Sequence, residues 1–182
     1  MSIYTQILNA AVATFLWAAT AQAQTDELDA LYDRLAQADA VEAEGLRGQI
    51  QSRWSQSGSP AMDLLLRRAE DAMEVGDPDT AVAHFSALID HAPGFAEGYH
   101  GRATVLFAQG RLGQALADLR RTLELNPRHF NAMTGLAVIL SELGQTEEAL
   151  EVYRQVDQIA PHLDRVETEI GRLSVELDGT AL

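Results

Sequence analysis

Histidine, serine and the carboxylates are the residues of this chain whose chemistry would suit a metal or catalytic site. The histidines lie at His84, His91, His100, His129 and His162. No two of them have the four-residue spacing, with an adjacent glutamate, by which one helix face presents ligands to zinc. No glycine-rich phosphate loop and no Gly-x-Ser-x-Gly motif occurs, and Ser55 to Asp63 is explained as a linker in which Ser59 caps a helix starting at Pro60. We therefore expect no catalytic residue, no metal and no cofactor.

Composition narrows the class of protein further. The chain has 182 residues, of which 47% are apolar, and this is enough for one globular domain. It carries 27 acidic and 13 basic residues, a net charge of -14, so binding to a phosphate backbone is unfavourable and we expect no nucleic-acid partner. It has no cysteine, which excludes disulfides, thiolate metal sites and thiol catalysis.

The first residues have the pattern of an export signal. From Ile7 to Ala21 the chain is almost wholly apolar and ends in Ala21-Gln22-Ala23, which predicts a signal peptide over residues 1–23 and a mature start near Gln24. Because this run is shorter than a membrane-spanning helix, we expect a periplasmic or secreted protein with no stable membrane insertion after cleavage. Residues 1–6 contain no Arg or Lys, which departs from the usual signal; the alternative is an apolar helix packed on the body of the protein.

An internal repeat indicates the elements that must position any binding site. Pro93, Pro127 and Pro161 recur every 34 residues, and proline ends a helix because it lacks a backbone donor. Two alanines, a glycine and a large residue recur in step with each proline. They are Ala69, Ala103 and Ala137; Gly76, Gly110 and Gly144; Ala81, Ala115 and Ala149; and Phe85, Leu119 and Tyr153. The pattern predicts three helical hairpins that turn at left-handed glycines and pack closely at the alanines.

These residues resemble the tetratricopeptide repeat family in three units over residues 61–162, divided at Phe95 and His129. The tryptophan and leucine-glycine pair that the family shows in each first helix are replaced here. The replacements are Leu65 with Arg68-Ala69, Tyr99 with Arg102-Ala103, and Met133 with Leu136-Ala137. The resemblance implies an all-α fold, a right-handed superhelical stack of antiparallel helix hairpins, with a groove that holds a peptide or partner protein.

Capping helices are expected on both sides of the repeats. Residues 24–60 predict a helical hairpin and linker, which we place at the N-terminal end of the stack. The apolar stripes of its two helices are Leu28, Leu31, Tyr32 and Leu35, and Ala43, Leu46, Ile50 and Trp54. Residues 163–182 predict a C-terminal capping helix, and its acidic polar face disfavours the alternative of a helix lying on a membrane.

The resemblance also implies which residues line the groove, on the first helix of each hairpin. They are Asp63, Leu66, Glu70, Met73 and Glu74; Glu97, His100, Thr104 and Phe107; and Asn131, Thr134, Val138 and Ser141. Because carboxylates and apolar residues are mixed here, we expect a basic or amphipathic peptide segment as partner. The alternative is that Glu70, Glu74 and Glu97 are only a solvated helix surface.

Gly101 and Gly135 occupy equivalent places in successive first helices, where the missing side chain serves either close helix packing or access of a ligand to the backbone.

The sequence thus predicts a protein-binding scaffold or adaptor and not an enzyme. Two alternatives stay open, a structural subunit of an envelope complex and an enzyme whose site no motif reveals.

Overall fold

The computed structural model describes residues 26–180, and over this range the fold is all-α, with nine helices and no strand. The helices are α1 (26–35), α2 (Ala40–Trp54), α3 (Pro60–Glu74), α4 (Pro78–His91), α5 (Ala96–Ala108), α6 (Leu112–Leu125), α7 (Phe130–Glu142), α8 (Thr146–Ile159) and α9 (Asp164–Thr180). The predicted signal peptide, residues 1–23, lies outside the described residues. Within residues 26–180 no helix has the length and apolar character needed to cross a membrane.

The three predicted hairpins are α3 with α4, α5 with α6, and α7 with α8. Gly76, Gly110 and Gly144 join the helices of each pair with φ of +73°, +72° and +75°, the left-handed conformation that glycine adopts without steric cost. The recurring alanines are almost fully buried, and Phe85, Leu119 and Tyr153 fill the space beside them. The repeat pattern is therefore confirmed as a packing pattern.

Aspartate side chains fix the starts of two of the described helices. The Asp39 carboxylate accepts hydrogen bonds from the backbone N–H groups of Val41 and Glu42 at the start of α2, and Asp77 accepts one from Thr80 at the start of α4. The prediction for Ser59 was wrong in detail: it occupies the N-cap position of α3, but its side chain makes no capping bond. Ser57 instead donates its hydroxyl and its backbone N–H to the carboxylate of Asp63, which closes the linker onto α3.

The N-terminal hairpin, α1 with α2, does not cap the N-terminal end of the stack as predicted, and packs instead against the third repeat and α9. Its buried residues, including Leu35, Leu46 and Ile50, share one core with α7, α8 and α9, whereas the first repeat has a separate core. The Tyr32 hydroxyl donates to the carbonyl of Arg128 at 2.9 Å, and Arg47 donates to the carbonyl of Pro161 at 2.8 Å. These carbonyls lie just after the ends of α6 and α8, where backbone carbonyl groups have no partner within a helix. The hairpin therefore supplies hydrogen-bond donors to them.

The last helix, α9, packs its apolar stripe on the third repeat. Val166 and Leu173 are buried in the core that they share with Tyr153, and Ile170 packs against it. The opposite side carries Arg172, which pairs with Glu169 and Glu176 in solvent. One apolar and one solvated face is what a terminal helix of a repeat stack requires.

An ion pair outside the groove joins the two helices of the second repeat, and its arginine also reaches the first repeat. Arg102 of α5 makes two hydrogen bonds to the carboxylate of Asp118 of α6, at 2.7 and 2.8 Å, and a third to the Ser86 hydroxyl of α4 at 3.1 Å. Both charged side chains are largely buried, with 24% and 10% of their surface exposed. A guanidinium suits this geometry because its planar fork matches a carboxylate.

Candidate functional site

Two adjoining cavities lie along the first helices of the three repeats. The first, called the apolar cavity here, has a volume of about 200 Å³ and is lined by Leu119 and Ile139 together with predicted groove residues. Those residues are His100, Thr104, Phe107, Asn131, Thr134 and Val138. Arg165 of α9 lies at the same cavity. An apolar floor with a few polar groups at its edge is the usual form of a binding pocket.

The second cavity, called the acidic cavity here, has a volume of about 290 Å³. The predicted groove residues that line it are Leu66, Glu70, Met73, Glu97, His100, Thr104 and Asn131. Because His100, Thr104 and Asn131 line both cavities, the two adjoin and together make up a groove along the first helices.

Three predicted groove residues line neither cavity. Asp63 accepts hydrogen bonds from Ser57 in the linker, Glu74 is exposed, and the Ser141 hydroxyl accepts from Arg172 at 3.0 Å.

Residues from outside the repeats complete the acidic cavity, and sequence reasoning missed them. Gln51, Trp54 and Ser55, at the end of α2, form one wall opposite α3 and α5. The apolar periodicity of α2 indicated that Trp54 is buried, but it did not indicate which residues of the chain pack against it. The hairpin therefore contributes to the groove that the first helices line.

Close packing explains the glycine in the second repeat. A Cβ atom at Gly101 would lie 2.2 Å from Cε1 of Phe85, far inside van der Waals contact. At Gly135 a Cβ would lie 3.4 Å from the nearest atoms of Leu119, an ordinary contact. The two equivalent glycines therefore differ: the first is required by the aromatic ring against it, and the second is not.

Glu97, His100 and His129 form a cluster at the edge of the acidic cavity. The Nε2 atom of His129 lies 2.8 Å from Oε1 of Glu97, and Nδ1 of His100 lies 3.5 Å from Oε2 of the same carboxylate. His129 is fully buried, and its Nδ1 accepts a hydrogen bond from the backbone N–H of Ala132, which caps α7. Since Nδ1 is an acceptor, the neutral imidazole carries its proton on Nε2 and donates it to Glu97.

The protonation states of this cluster follow from burial and hydrogen bonding. Burial by itself would raise the pKa of Glu97, but hydrogen bonds from His100 and His129 outweigh it and lower that pKa to about 2. Burial lowers the pKa of His129, although the bond to Glu97 opposes this. Glu97 is thus an anion and His129 a neutral donor near neutral pH. Burial and then the charge of Glu97 raise the pKa of Glu70, which faces the same cavity.

The same three residues are a potential metal-ligand set, because one ligand atom from each lies within 4.8 Å of the others. Ligation through Nε2 of His129 would move its proton to Nδ1 and abolish the bond that caps α7. The arrangement therefore favours a hydrogen-bonded cluster over a metal centre.

Comparison with known proteins identifies relatives of this chain. The sequence model described as tetratricopeptide repeat matches residues 66–117 and 100–164. A TPR repeat-containing protein of Rhizobium etli is 29% identical over 153 residues, which are 84% of this chain and 75% of that protein. Bacteriophage adsorption protein A of Escherichia coli K12 is 31% identical over 128 residues, 65% of this chain, but the match spans only 12% of that protein.

Solved structures share the fold. The first TPR of Spaghetti (RPAP3), bound to an HSP90 peptide, gives a TM-score of 0.62 at 20% identity and covers 64% of this chain and 93% of that one. The TPR2B domain of yeast Sti1, in complex with pHsp70, gives 0.59 at 19% identity and covers 65% and 99%. MamA gives 0.61 at 20% identity and covers 75% and 82%. At these identities the likeness shows the architecture.

Proposed function

The chain belongs to the tetratricopeptide repeat family, and from this premise we propose that it is a scaffold that holds a segment of a partner protein in the groove along α3, α5 and α7. The observation that carries the proposal is that the two cavities adjoin, with His100, Thr104 and Asn131 lining both. Two domains of the same architecture, those of Spaghetti and yeast Sti1, have been solved with an HSP90 peptide and with pHsp70. A long groove with an apolar floor suits an extended or helical segment better than a small metabolite.

The segment is proposed to be basic or amphipathic. The acidic cavity carries Glu70 and Glu97, and the apolar cavity next to it offers Leu119 and Ile139 to an apolar side chain. A segment with a cation beside an apolar residue complements both parts.

Groove binding is tested by affinity capture of the partner with a variant whose groove is blocked. Thr104 is exposed and lines both cavities, so Thr104→Trp should fill the groove without disturbing the core. Gln158→Trp, at an exposed position of α8, is the control. A partner retained by the wild type and by Gln158→Trp, but lost by Thr104→Trp, supports the proposal; a partner held equally by all three binds elsewhere. A fixed stoichiometry on co-purification would favour a structural subunit of a larger complex over an adaptor.

The location is proposed to be the periplasm or the cell exterior, on the basis of the apolar segment Ile7 to Ala21 and the pattern Ala21-Gln22-Ala23. The mass of the N-terminal peptide from protein isolated from its host tests this. A start near Gln24 supports export with cleavage, and a start at Met1 contradicts it.

A further inference from the structure

The acidic cavity has a charge that nothing in its wall neutralises. Of the described residues that line it, Glu70 and Glu97 are carboxylates and none is Arg or Lys. The Glu70 carboxylate makes no hydrogen bond with any residue in the described part of the chain. Glu97 is bonded, but only to imidazoles, one of which is buried and neutral. The cavity therefore presents two carboxylates, and no arginine or lysine, to whatever enters it.

Glu97 is held in place by a chain of contacts that begins in the N-terminal hairpin. The indole of Trp54 stacks on the imidazole of His129, with 4.0 Å between ring centroids, and also contacts the Phe130 ring at 4.7 Å. His129 is fixed on its other edge by the backbone N–H of Ala132, so its Nε2–H has one direction, toward Glu97. A carboxylate with 14% of its surface exposed and a fixed donor behind it is preorganised for a second donor in front.

We propose that Glu97, together with Glu70, is the anchor for a guanidinium or ammonium group of the bound segment, and that Trp54 and His129 are positioning residues that orient Glu97. The inference rests on the proposed function, and it makes the N-terminal hairpin part of the binding site. A volume of about 290 Å³ accommodates an arginine or lysine side chain. The apolar cavity shares three lining residues with this one, so an apolar side chain of the same segment follows directly.

A peptide cation fits this site better than a divalent metal ion. The proton on Nε2 of His129 and the cap that Nδ1 makes leave only Glu97 and His100 of the cluster free to ligate. A guanidinium needs no such rearrangement, because its own N–H groups donate to carboxylate oxygens in a plane.

The experiment measures the selectivity of peptide binding. The probe is a synthetic library of short peptides in which each position in turn is fixed as arginine, as its neutral isostere citrulline, or as leucine. Wild type should prefer arginine to citrulline at one position by about tenfold or more, with an apolar preference beside it. Glu97→Gln should bind the library but lose that preference. Glu44→Gln, an exposed residue on α2, is the control with the same change of charge.

The positioning residues are tested on the ratio of affinities for the arginine and citrulline peptides, not on affinity alone. His129→Asn keeps a side-chain cap for α7 but is too short to reach Glu97, so it should reduce the arginine preference while the protein stays folded by circular dichroism. Trp54→Ala should reduce it as well, and Trp54→Phe, which keeps a stacking ring, should restore most of it.

The outcomes separate the inference from the proposed function. Peptides that bind wild type with no arginine preference, or with a preference that survives Glu97→Gln, overturn the anchor and leave the scaffold intact. A preference unchanged in His129→Asn and Trp54→Ala overturns the positioning role. If no peptide binds wild type, the anchor and the scaffold proposal are both overturned. If zinc or calcium alone binds wild type and this binding is lost in Glu97→Gln, the site binds a metal ion and not a peptide cation.

Discussion

The indole ring of Trp54 stacks on the imidazole of His129 with 23° between the ring planes, and this contact joins the N-terminal hairpin to the start of α7. Trp54 has 8% of its surface exposed, and His129 has none. The stack covers a buried polar ring whose two nitrogens are both hydrogen-bonded, to Ala132 and to Glu97. The hairpin is therefore attached through the residue that also orients the groove carboxylate.

Removing the indole should destabilise the protein strongly. Trp54→Ala deletes a buried ring and exposes His129 and Phe130, so we expect the free energy of unfolding to fall by about 3 to 4 kcal/mol. Val41→Ala, at an exposed position of the same helix, should change it by less than about 0.5 kcal/mol. Urea denaturation followed by circular dichroism measures both. Equal stabilities of the two variants would mean that the hairpin does not depend on this stack.

The two equivalent glycines should respond to alanine with opposite signs. Gly101→Ala places a methyl group 2.2 Å from the Phe85 ring, and overpacking of a buried ring should cost more than the helix propensity gained, a net loss of about 1 to 2 kcal/mol. Gly135→Ala meets only ordinary contacts with Leu119, so the propensity gain of up to about 1 kcal/mol should remain. Thermal melts of the two variants give the comparison. A stabilised Gly101→Ala would show that Phe85 moves freely into the acidic cavity.

The repeats could be predicted because their determinants are local in sequence. A turn glycine, two alanines and a large residue recur at fixed distances from each proline, and each does the same packing task in all three hairpins. The position of the hairpin was not predictable in this way. Amphipathic periodicity fixed the buried face of α2, including Ile50 and Trp54, but it does not say which distant surface covers that face.

The cluster around Glu97 could have been predicted from the repeat register, although not from residue spacing within one helix. Glu97 and His100 are three residues apart on one helix face, and His129 precedes by two residues the position equivalent to Glu97 in the next repeat. Since consecutive first helices are neighbours in a repeat stack, this register brings His129 beside Glu97. A search for metal spacing within one helix misses such a set.

The buried ion pair should contribute more than an exposed one. Asp118→Asn leaves the Arg102 guanidinium, with 24% of its surface exposed, without its charged partner, and we expect a loss of about 2 kcal/mol. Glu124→Gln breaks the exposed Arg121–Glu124 pair and should cost much less, because solvent screens that pair. Chemical denaturation compares them, and equal losses would contradict the importance of burial.

Acid should weaken the fold through Glu97 and His129. The pKa of Glu97 is about 2 in the folded protein, below its ordinary value of 4.5, because hydrogen bonds from His100 and His129 outweigh burial. Its contribution, about 3 kcal/mol, is therefore present above pH 4.5 and lost as the pH falls toward 2. Burial lowers the pKa of His129 below its ordinary 6.5, so protonation of the unfolded chain also removes stability as the pH falls below 6.5.

Variants separate these contributions from that of Glu70, whose raised pKa acts in the opposite sense. Its protonation relieves the cost of burying a charge and then the repulsion from Glu97. The free energy of unfolding, measured in urea from pH 7 to pH 3.5, should fall steadily for wild type. Glu97→Gln should flatten the part below pH 4.5, since glutamine does not titrate, and His129→Asn should flatten the part just below 6.5. Glu70→Gln should stabilise the protein at pH 7 and keep the acid loss. A wild-type profile identical to that of Glu97→Gln would show that the folded carboxyl titrates normally and that the hydrogen bonds from His100 and His129 do not hold it ionised.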